Sequence, residues 1–356
     1  MKVAVLLYQN MRHAPFFKFY EHILQSMNNV DYDVLYLDRH PELREPKDAH
    51  HIAIPWIGTD DHKYLLKMLT GISYAVQVRR IIALGQYDFI IVLTTMPGVL
   101  LSGFLSKHYH NKYIVDIRDY TKEHFSLYYK AEKKLVDNSA LNVISSPDYS
   151  LFLPASEYHV CHNLNIEDSN SENRIFKKAD NKHIVIAYIG NIQYAEYCQQ
   201  LIDLVNKDDR FEFHFYGSEG GNQVVTNFVN YLHNPRIVME GSFRPGEKPS
   251  IFARSDLIFN CYGNNNNIVK YAISNKYYDA ACYRRPLLVS PDTTMARLTG
   301  KFAFSLDLQN CCNLNELYLW YCGIDNLSFD NYCKSVVDNA NLENSILEAT
   351  IKKLLL

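Results

Sequence analysis

The stretch Ser274-Asn-Lys-Tyr-Tyr-Asp-Ala-Ala-Cys-Tyr-Arg-Arg-Pro-Leu-Leu-Val-Ser290 contains a helix start, a helix end and a strand. Ser274 or Asn275 is suited to cap the helix, and Asp279 follows one turn later. The Arg-Arg-Pro sequence ends the helix, and the apolar run after it is typical of a buried parallel strand. The amino end of a helix offers free N–H groups and positive potential, which suit a diphosphate. A carboxylate one turn later is suited to accept hydrogen bonds from a ribose.

This segment resembles the Asn-Lys-x-x-Glu-x-x-Ala-x-Gly-Lys-Pro-Val-Ile signature of GT-B glycosyltransferases, particularly those related to glycosyltransferase family four. Asp279 stands where that family has glutamate, and Arg284-Arg285 replaces its Gly-Lys. The family's Glu-x7-Glu pair would also need glutamate at position 271, where this chain has Tyr271. The alternative interpretation is an ordinary αβ unit of a doubly wound sheet.

The composition is typical of a globular protein with two domains. The chain has 356 residues, of which 47% are hydrophobic and 21% charged, and it is too long for one ordinary core. A net charge of -3 at pH 7 argues against a nucleic-acid partner. The eight cysteines begin at Cys161 and lack zinc-type spacing, so we expect reduced thiols in the cytoplasm and no metal site. Residues 89–105 are uncharged, but Thr94-Thr-Met-Pro-Gly98 interrupts them, so no membrane span is predicted.

Strand and helix patterns alternate through both halves of the chain, which predicts an α/β protein with parallel sheets. We expect the GT-B plan, in which two Rossmann-like domains face each other across a cleft. The predicted parts are an acceptor-binding domain at 1–166, a polar linker at 167–182 and a nucleotide-sugar-binding domain at 183–335. A helix at 336–356 is expected to pack on the first domain.

The second domain is predicted to bind the donor. It opens with a strand that ends at Gly190-Asn191, where glycine lets a phosphate approach the backbone. The basic residues that follow this turn in the family are replaced by Gln193-Tyr-Ala-Glu196. Other candidate cations for the diphosphate are Arg244, Lys248, Lys270 and Lys276. By resemblance, the predicted donor-binding residues are Gly190, Asn191, Phe243, Arg244, Asn275, Lys276 and Asp279.

For two further loops of this domain, the sequence is compatible with either a binding role or a purely structural one. Arg244 follows a predicted strand near the expected base, and its alternative is a solvated loop residue. The polar loop Tyr262-Gly-Asn-Asn-Asn-Asn267 is suited to bind sugar hydroxyls, or it is a solvated turn. Asp256 is expected to be structural.

In the first domain, Asp116-Ile-Arg-Asp119 resembles the Asp-x-Arg-Asp motif of polysaccharide-assembly glycosyltransferases. Arg118 and Asp119 are predicted either to shape the acceptor site or to form a buried ion pair. The segment Asn10-Met-Arg-His-Ala-Pro15 replaces the family's glycine-rich acceptor loop, so His13 is expected to contact the acceptor or the leaving group. The candidate catalytic residues are therefore Asp119 and His13.

Three other patterns are given less functional weight. Asp31-Tyr-Asp33 has the spacing of a metal motif but precedes a strand in the wrong topology. Asp60-Asp-His62 is expected to cap a helix. That helix, predicted at 62–84, mixes Lys and Arg with apolar residues, which is compatible with membrane-surface contact or with a solvated face.

The resemblance implies a glycosyltransferase that moves a sugar from a UDP- or GDP-sugar to a glycan or lipid-linked acceptor. It implies retaining, metal-independent transfer without a cofactor, in capsule or O-antigen assembly at the cytoplasmic face of a membrane. The alternatives are a nucleotide-sugar epimerase and a noncatalytic GT-B protein that binds a glycan or a partner transferase.

Overall fold

A computed structural model describes residues 1–41, 50–57, 64–165, 175–178 and 183–356. The chain divides into two compact units. One consists of Met1–Asn163 with Leu342–Leu356, and the other of Leu164–Asn341. Most of the predicted linker, 167–182, lies outside the described residues, as does the predicted cap at Asp60–His62.

The first unit contains seven described strands, all paired in parallel, in the spatial order β3-β2-β1-β4-β5-β6-β7. The strands are β1 (Lys2–Leu7), β2 (Asp31–Asp38), β3 (His51–Pro55), β4 (Phe89–Leu93), β5 (Tyr113–Ile117), β6 (Leu141–Ile144) and β7 (His159–Val160). The helices between them are α1 (Phe17–Gln25), α2 (Tyr64–Gly85), α3 (Thr95–His108) and α4 (Ser126–Asp137).

The second unit contains six described strands, also parallel, in the order β10-β9-β8-β11-β12-β13. The strands are β8 (Ile184–Ile189), β9 (Phe211–Tyr216), β10 (Ile237–Gly241), β11 (Leu257–Asn260), β12 (Leu287–Val289) and β13 (Ala303–Ser305). The helices are α5 (Ala195–Lys207), α6 (Val224–Leu232), α7 (Lys248–Ala253), α8 (Asn267–Tyr271), α9 (Asn275–Tyr283), α10 (Thr294–Thr299) and α11 (Asn315–Gly323). A last helix, α12 (Asn326–Leu354), belongs to both units.

Both sheets have the Rossmann order, in which the chain runs outward from the first strand and then returns to its other side. The central strands are apolar runs buried along their whole length, such as β4, because helices cover both faces of a parallel sheet. The direction of winding reverses between β1 and β4 in the first unit and between β8 and β11 in the second. Ligands of such sheets bind at these switch points, outside the carboxyl ends of the strands.

Several elements differ from the sequence prediction. The prediction contained neither β3 nor α4, and it ended the second sheet at β12. Strand β3 lies at the sheet edge with only Ile54 buried, so its sequence lacks the apolar run of a central strand. Helix α12 begins at Asn326, well before the predicted start, and its Leu347 and Ile351 lie in the core of the first unit. None of the described helices is long and apolar enough to cross a membrane.

Candidate functional site

The quoted segment folds as a capped helix at the carboxyl edge of the second sheet. Ser274 is the N-cap of α9, and its Oγ accepts a hydrogen bond from the Lys276 backbone N–H at 3.3 Å. Asn275 is the first helical residue and is exposed. The helix ends at Arg284, which takes a left-handed conformation with φ 54°. The amino end of α9 lies at this edge of the sheet, and the positive end of its helix dipole suits an anion.

Two tyrosines contact the Lys276 side chain at the β8/β11 switch point, and a third tyrosine stacks on one of them. Tyr194 follows β8 and stacks on Tyr262, which follows β11, with ring centroids 4.8 Å apart. Lys276 Nζ donates a hydrogen bond to Tyr262 Oη at 2.5 Å and lies 4.9 Å from the Tyr188 ring centroid. The loop after β8 thus contacts the loop after β11 through the stacked rings of Tyr194 and Tyr262. The Lys276 ammonium lies against the rings of Tyr262 and Tyr188.

This environment changes the chemistry of the Lys276 ammonium. Burial lowers its pKa from 10.5 to about 8, although the nearby Asp279 favours the charged form. Lys276 is thus still mainly protonated at neutral pH, and it is poorly solvated. A bound anion would compensate for that lost hydration, so the group is suited to hold a phosphate.

Asp279 lies one turn into α9 and forms an ion pair with Lys248 of α7. Lys248 Nζ is 2.5 Å from Asp279 Oδ1, and both side chains are largely buried. Arg285 joins the same two helices at their other ends, because its Nε donates to the Phe252 carbonyl at 2.8 Å. Helix α7 is therefore fixed against α9, and the Asp279 carboxylate is held in place.

The turn after β8 depends on two glycines. Gly190 has φ 113°, and its N–H donates to the Tyr216 carbonyl at 2.8 Å. Gly217 has φ 152°, and a Cβ there would lie 1.8 Å from the Gly190 carbonyl oxygen. At Gly190 itself a Cβ would meet no atom within 4 Å, so the space over this turn is open. Asn191 beside it is exposed, and its carbonyl accepts from Tyr188 Oη at 3.0 Å.

The residues after β10 lie at the sheet edge, two strands away from β8. Phe243 is half-buried against the core of the unit, whereas Arg244 is exposed and its backbone N–H donates to Glu247 Oε2 at 2.6 Å. Lys248 follows shortly and reaches Asp279, so this segment passes near α9. The structure thus brings Asn275, Lys276 and Asp279 together on one helix, with Phe243 and Arg244 on an adjoining segment.

The polar loop after β11 is used mainly for local structure. Asn266 Oδ1 caps α8 by accepting from Ile268 N at 2.8 Å, and Asn264 Nδ2 donates to the Pro291 carbonyl at 3.1 Å. Asp256 accepts from Val185 N at 2.8 Å, which confirms the prediction that it is structural.

In the first unit, Arg118 forms a buried ion pair, but its partner is Asp116 and not Asp119. Arg118 Nη2 lies 2.5 Å from Asp116 Oδ2, which also accepts from Tyr20 Oη at 2.7 Å. The alternative prediction of a buried Arg118–Asp119 pair is therefore wrong, because the buried guanidinium pairs with Asp116 and Asp119 is exposed. Asp119 is exposed, yet the protein around its carboxylate desolvates it and raises its pKa to about 6.

His13 lies at the end of a short 3-10 turn, Met11–His13, after β1. It is exposed, and its ring packs edge-on against His40 with centroids 5.4 Å apart. His13 and Asp119 both follow the carboxyl ends of strands of the first sheet. They therefore share the edge at which ligands of parallel sheets bind.

Thr94 marks the switch point of the first sheet with a strained backbone. It follows β4 and has φ 75° and ψ 156°, a region that β-branched residues rarely adopt. Its N–H donates to the Asp116 carbonyl at 2.9 Å, which helps to hold this conformation. Strain of about 1–3 kcal/mol is typical of such residues and is found most often at functional sites.

The discounted metal motif has a structural role. Asp33 accepts hydrogen bonds from Tyr87 Oη at 2.6 Å, and its carboxylate lies 3.4 Å from Lys2 Nζ. Within the described part of the chain, no group of three or more His, Cys, Asp or Glu side chains is placed to hold a metal ion.

Sequence reasoning missed the tyrosines of the cluster around Lys276. Tyr188, Tyr194 and Tyr262 were not among the predicted site residues, although Tyr194 stands in the segment that replaces the family's basic residues. The available signal was their position, because Tyr188 lies in β8, Tyr194 in the loop after it and Tyr262 in the loop after β11, and these two strands flank a switch point.

No protein-family profile matches the chain, and no characterised protein matches it in sequence. Solved structures do match. The complex of Anabaena Alr3699/HepE with UDP-glucose covers 99% of both chains at 12% identity, with a TM-score of 0.66. The lipopolysaccharide outer core galactosyltransferase WaaB has a TM-score of 0.67 at 10% identity and covers 99% of this chain and 100% of its own. A putative UDP-N-acetylglucosamine 2-epimerase from Listeria monocytogenes has a TM-score of 0.57 at 10% identity, with 94% and 90% covered.

These similarities and the two parallel sheets confirm the predicted GT-B fold. These structures include both a galactosyltransferase and a protein titled a putative 2-epimerase, so the fold alone does not decide the function.

Proposed function

We propose that the protein is a glycosyltransferase that takes a sugar from a UDP- or GDP-sugar. The observation that carries this proposal is the arrangement at the β8/β11 switch point. There the amino end of α9, the poorly solvated Lys276 ammonium and the open turn at Gly190 occur together. This combination suits a diphosphate, and structural neighbours include a protein solved with UDP-glucose.

In the proposed reaction, the second unit stabilises the negative charge of the departing nucleotide diphosphate. The N–H groups of the first turn of α9 and the Lys276 ammonium supply positive potential. Asp279 accepts hydrogen bonds from the ribose hydroxyls and exchanges part of its contact with Lys248 for them. Phe243 and Arg244 contact the base. Because these groups are cations and backbone donors, the proposed transfer needs no metal.

In the first unit, we assign acceptor binding to Asp119 and His13. Asp119 has a pKa of about 6, so its carboxylate is ionised at neutral pH and can accept a hydrogen bond from an acceptor hydroxyl. His13 offers a second polar group at the same sheet edge. Retention of anomeric configuration is proposed by resemblance to family four, as is a role in capsule or O-antigen assembly.

A lipid-linked acceptor would place the protein at the inner face of a membrane, and α2 supports this part of the proposal. Helix α2 carries Lys67, Arg79 and Arg80 and no acidic residue. Its exposed face also bears large apolar side chains, of which Ile72 is 56% and Val76 is 59% exposed. An apolar face with flanking positive charge is suited to the surface of an anionic bilayer.

The proposed donor site is tested by calorimetric titration with UDP, GDP and CDP without added metal. We expect one nucleotide to bind the wild type and Asp279→Ala to weaken it about tenfold or more, since a charge-assisted contact is lost. Asp209→Ala is the matched control, because Asp209 is an exposed carboxylate at the opposite, amino edge of the sheet. Lys248→Met breaks the same ion pair but keeps the Asp279 carboxylate.

The outcomes separate the alternatives. If Lys248→Met weakens binding as much as Asp279→Ala does, the carboxylate acts only through the ion pair. If no nucleotide binds the folded wild type, the noncatalytic GT-B protein becomes the better interpretation. If a UDP-sugar is converted to its epimer without an acceptor, the protein is an epimerase and the transferase proposal is wrong.

A further inference from the structure

Three residues outside the proposed donor site meet at the carboxyl edge of the first sheet. Tyr8 directly follows β1, Arg39 follows β2 and Trp56 follows β3, and these strands are neighbours in the sheet. The guanidinium carbon of Arg39 lies 5.2 Å from the Tyr8 ring centroid and 5.0 Å from the Trp56 ring centroid. The central strand thus supplies a cation, and each flanking strand supplies an aromatic ring beside it.

The buried Asn10 fixes the backbone of Arg39. Asn10 is fully buried, and its Oδ1 accepts from Arg39 N at 2.9 Å and from His40 N at 3.2 Å. Its Nδ2 donates to Asp38 Oδ1 at 2.7 Å. The Asn10 side chain therefore joins the loops after β1 and β2, and its hydrogen bonds hold the backbone of Arg39 in place.

The ring of Tyr8 is also held from behind. It packs edge-on against the buried Tyr74 of α2, with centroids 5.0 Å apart. Arg39 itself is exposed, and no carboxylate within the described residues forms an ion pair with it. The rings of Tyr8 and Trp56 therefore restrict the position of the guanidinium.

This arrangement suits one kind of ligand chemistry. A guanidinium presents a planar fork of N–H donors that matches a carboxylate or a phosphate in a bidentate way. Stacking on aromatic rings limits its rotamers, so less entropy is lost when the bonds form. Tyr8 and Trp56 add apolar surface on which the C–H groups of a sugar ring can pack.

We propose that Tyr8, Arg39 and Trp56 form an acceptor subsite that binds an anionic sugar through its carboxylate or phosphate group. This inference rests on the proposed function, because it defines the acceptor of the same transferase as acidic. His13 lies at the same edge and would offer a further donor to that group.

The chain offers a direct optical probe of this subsite. It contains two tryptophans, Trp56 and Trp320, so in a Trp320→Phe background the intrinsic fluorescence comes from Trp56 alone. In that background we would titrate methyl glucuronide, methyl glucoside 6-phosphate and neutral methyl glucoside. The expected result is a change in Trp56 fluorescence with at least one anionic probe and at least tenfold weaker binding of the neutral one. The more tightly bound anionic probe tells whether carboxylate or phosphate is preferred.

Arg39→Gln should weaken the anionic probes about tenfold or more and leave the neutral probe unchanged. Arg254→Gln is the control, because Arg254 is also an exposed arginine over a tyrosine, 5.8 Å from the Tyr216 centroid, but lies in the other unit. Equal binding of charged and neutral probes, no binding of any probe, or wild-type affinity in Arg39→Gln would overturn the proposal.

A parallel titration of the wild type and Arg39→Gln with UDP, GDP and CDP separates this proposal from the one it rests on. If Arg39→Gln binds the nucleotide like the wild type but no longer binds the glucuronide or the sugar phosphate, both proposals are supported. If no nucleotide binds although an anionic sugar does, the donor site fails while the anionic subsite stands.

Discussion

Replacement of Lys276 by methionine should stabilise the fold and at the same time weaken donor binding. The methionine keeps most of the apolar stem and removes the ammonium that lies among Tyr188 and Tyr262. In the absence of a ligand, that ammonium is poorly compensated, because burial lowers its pKa to about 8. A residue that costs stability and is required for binding is typical of a functional site.

The magnitude follows from the pKa. Lowering a pKa from 10.5 to about 8 corresponds to about 3 kcal/mol against the charged form in the folded state. Lys276 is only partly buried, so solvent screening reduces this to about 1–2 kcal/mol. Loss of the hydrogen bond to Tyr262 removes about 1 kcal/mol of stabilisation. Lys276→Met should therefore raise the free energy of unfolding at pH 7 by about 1 kcal/mol or less.

The pH dependence gives a sharper comparison. Below pH 8 the lysine is charged in both the folded and the unfolded state, so the folded state carries the full cost. Between about pH 8 and 10.5 the folded lysine loses its proton while the unfolded one keeps it. The free energy of unfolding of the wild type therefore rises with pH relative to that of the variant. Chemical denaturation at pH 7, 8, 9 and 10 measures this difference. The variant's advantage should shrink as the pH rises.

Nucleotide binding should change in the opposite direction. Loss of a charge-assisted contact to the diphosphate weakens binding about tenfold to a hundredfold. In the wild type, affinity should be full below about pH 8 and fall above it, because the free ammonium then loses its proton. Lys207→Met is the control, since Lys207 is an exposed lysine at the end of α5. If Lys276→Met destabilises the protein by more than 1 kcal/mol, or binds the nucleotide like wild type, the reasoning is wrong.

Two further predictions concern the first unit. Ile72→Ser with Val76→Ser should reduce co-sedimentation with anionic phosphatidylglycerol vesicles about tenfold or more, because two apolar side chains no longer enter the interface. Leu319→Ser, at a 68% exposed leucine of the other unit, is the control, and equal losses in both would contradict a specific α2 contact. Glu132 is fully buried, neither of its oxygens has a hydrogen-bond partner among the described residues, and burial raises its pKa to about 8. The wild type should therefore lose stability as pH rises from about 5 to 8, whereas denaturation of Glu132→Leu should show a flatter profile; identical profiles would contradict this.

The sequence was informative about the fold because the strongest local signals coincide with the central elements. The sequence predicts strands at Phe211–Tyr216, where every second residue is aromatic, and at Leu257–Asn260, which begins with three apolar residues; the structure has both strands with these bounds. The Ser274 cap was predictable because a serine precedes the helix and a proline follows its end. Edge elements such as β3 and β13 were missed, because an edge strand needs no continuous apolar run.

The candidate site was less predictable, because contacts between distant segments determine it. The pairing of Asp279 with Lys248 joins α9 to α7, and no local pattern indicates which lysine reaches the carboxylate. The choice of Asp116 over Asp119 as partner of Arg118 is also tertiary, since Tyr20 of α1 binds the same carboxylate. Arg39 and Trp56 lie far from any family motif, and only the sheet order brings them together with Tyr8.

Hydrogen exchange of the wild type with and without a saturating nucleoside diphosphate would test the donor site most directly. We expect slower amide exchange at residues 190–194, 261–266 and 274–280, which surround the β8/β11 switch point and the start of α9. No change in these segments, or protection confined to the first unit, would contradict the claim that the second unit binds the nucleotide-sugar donor.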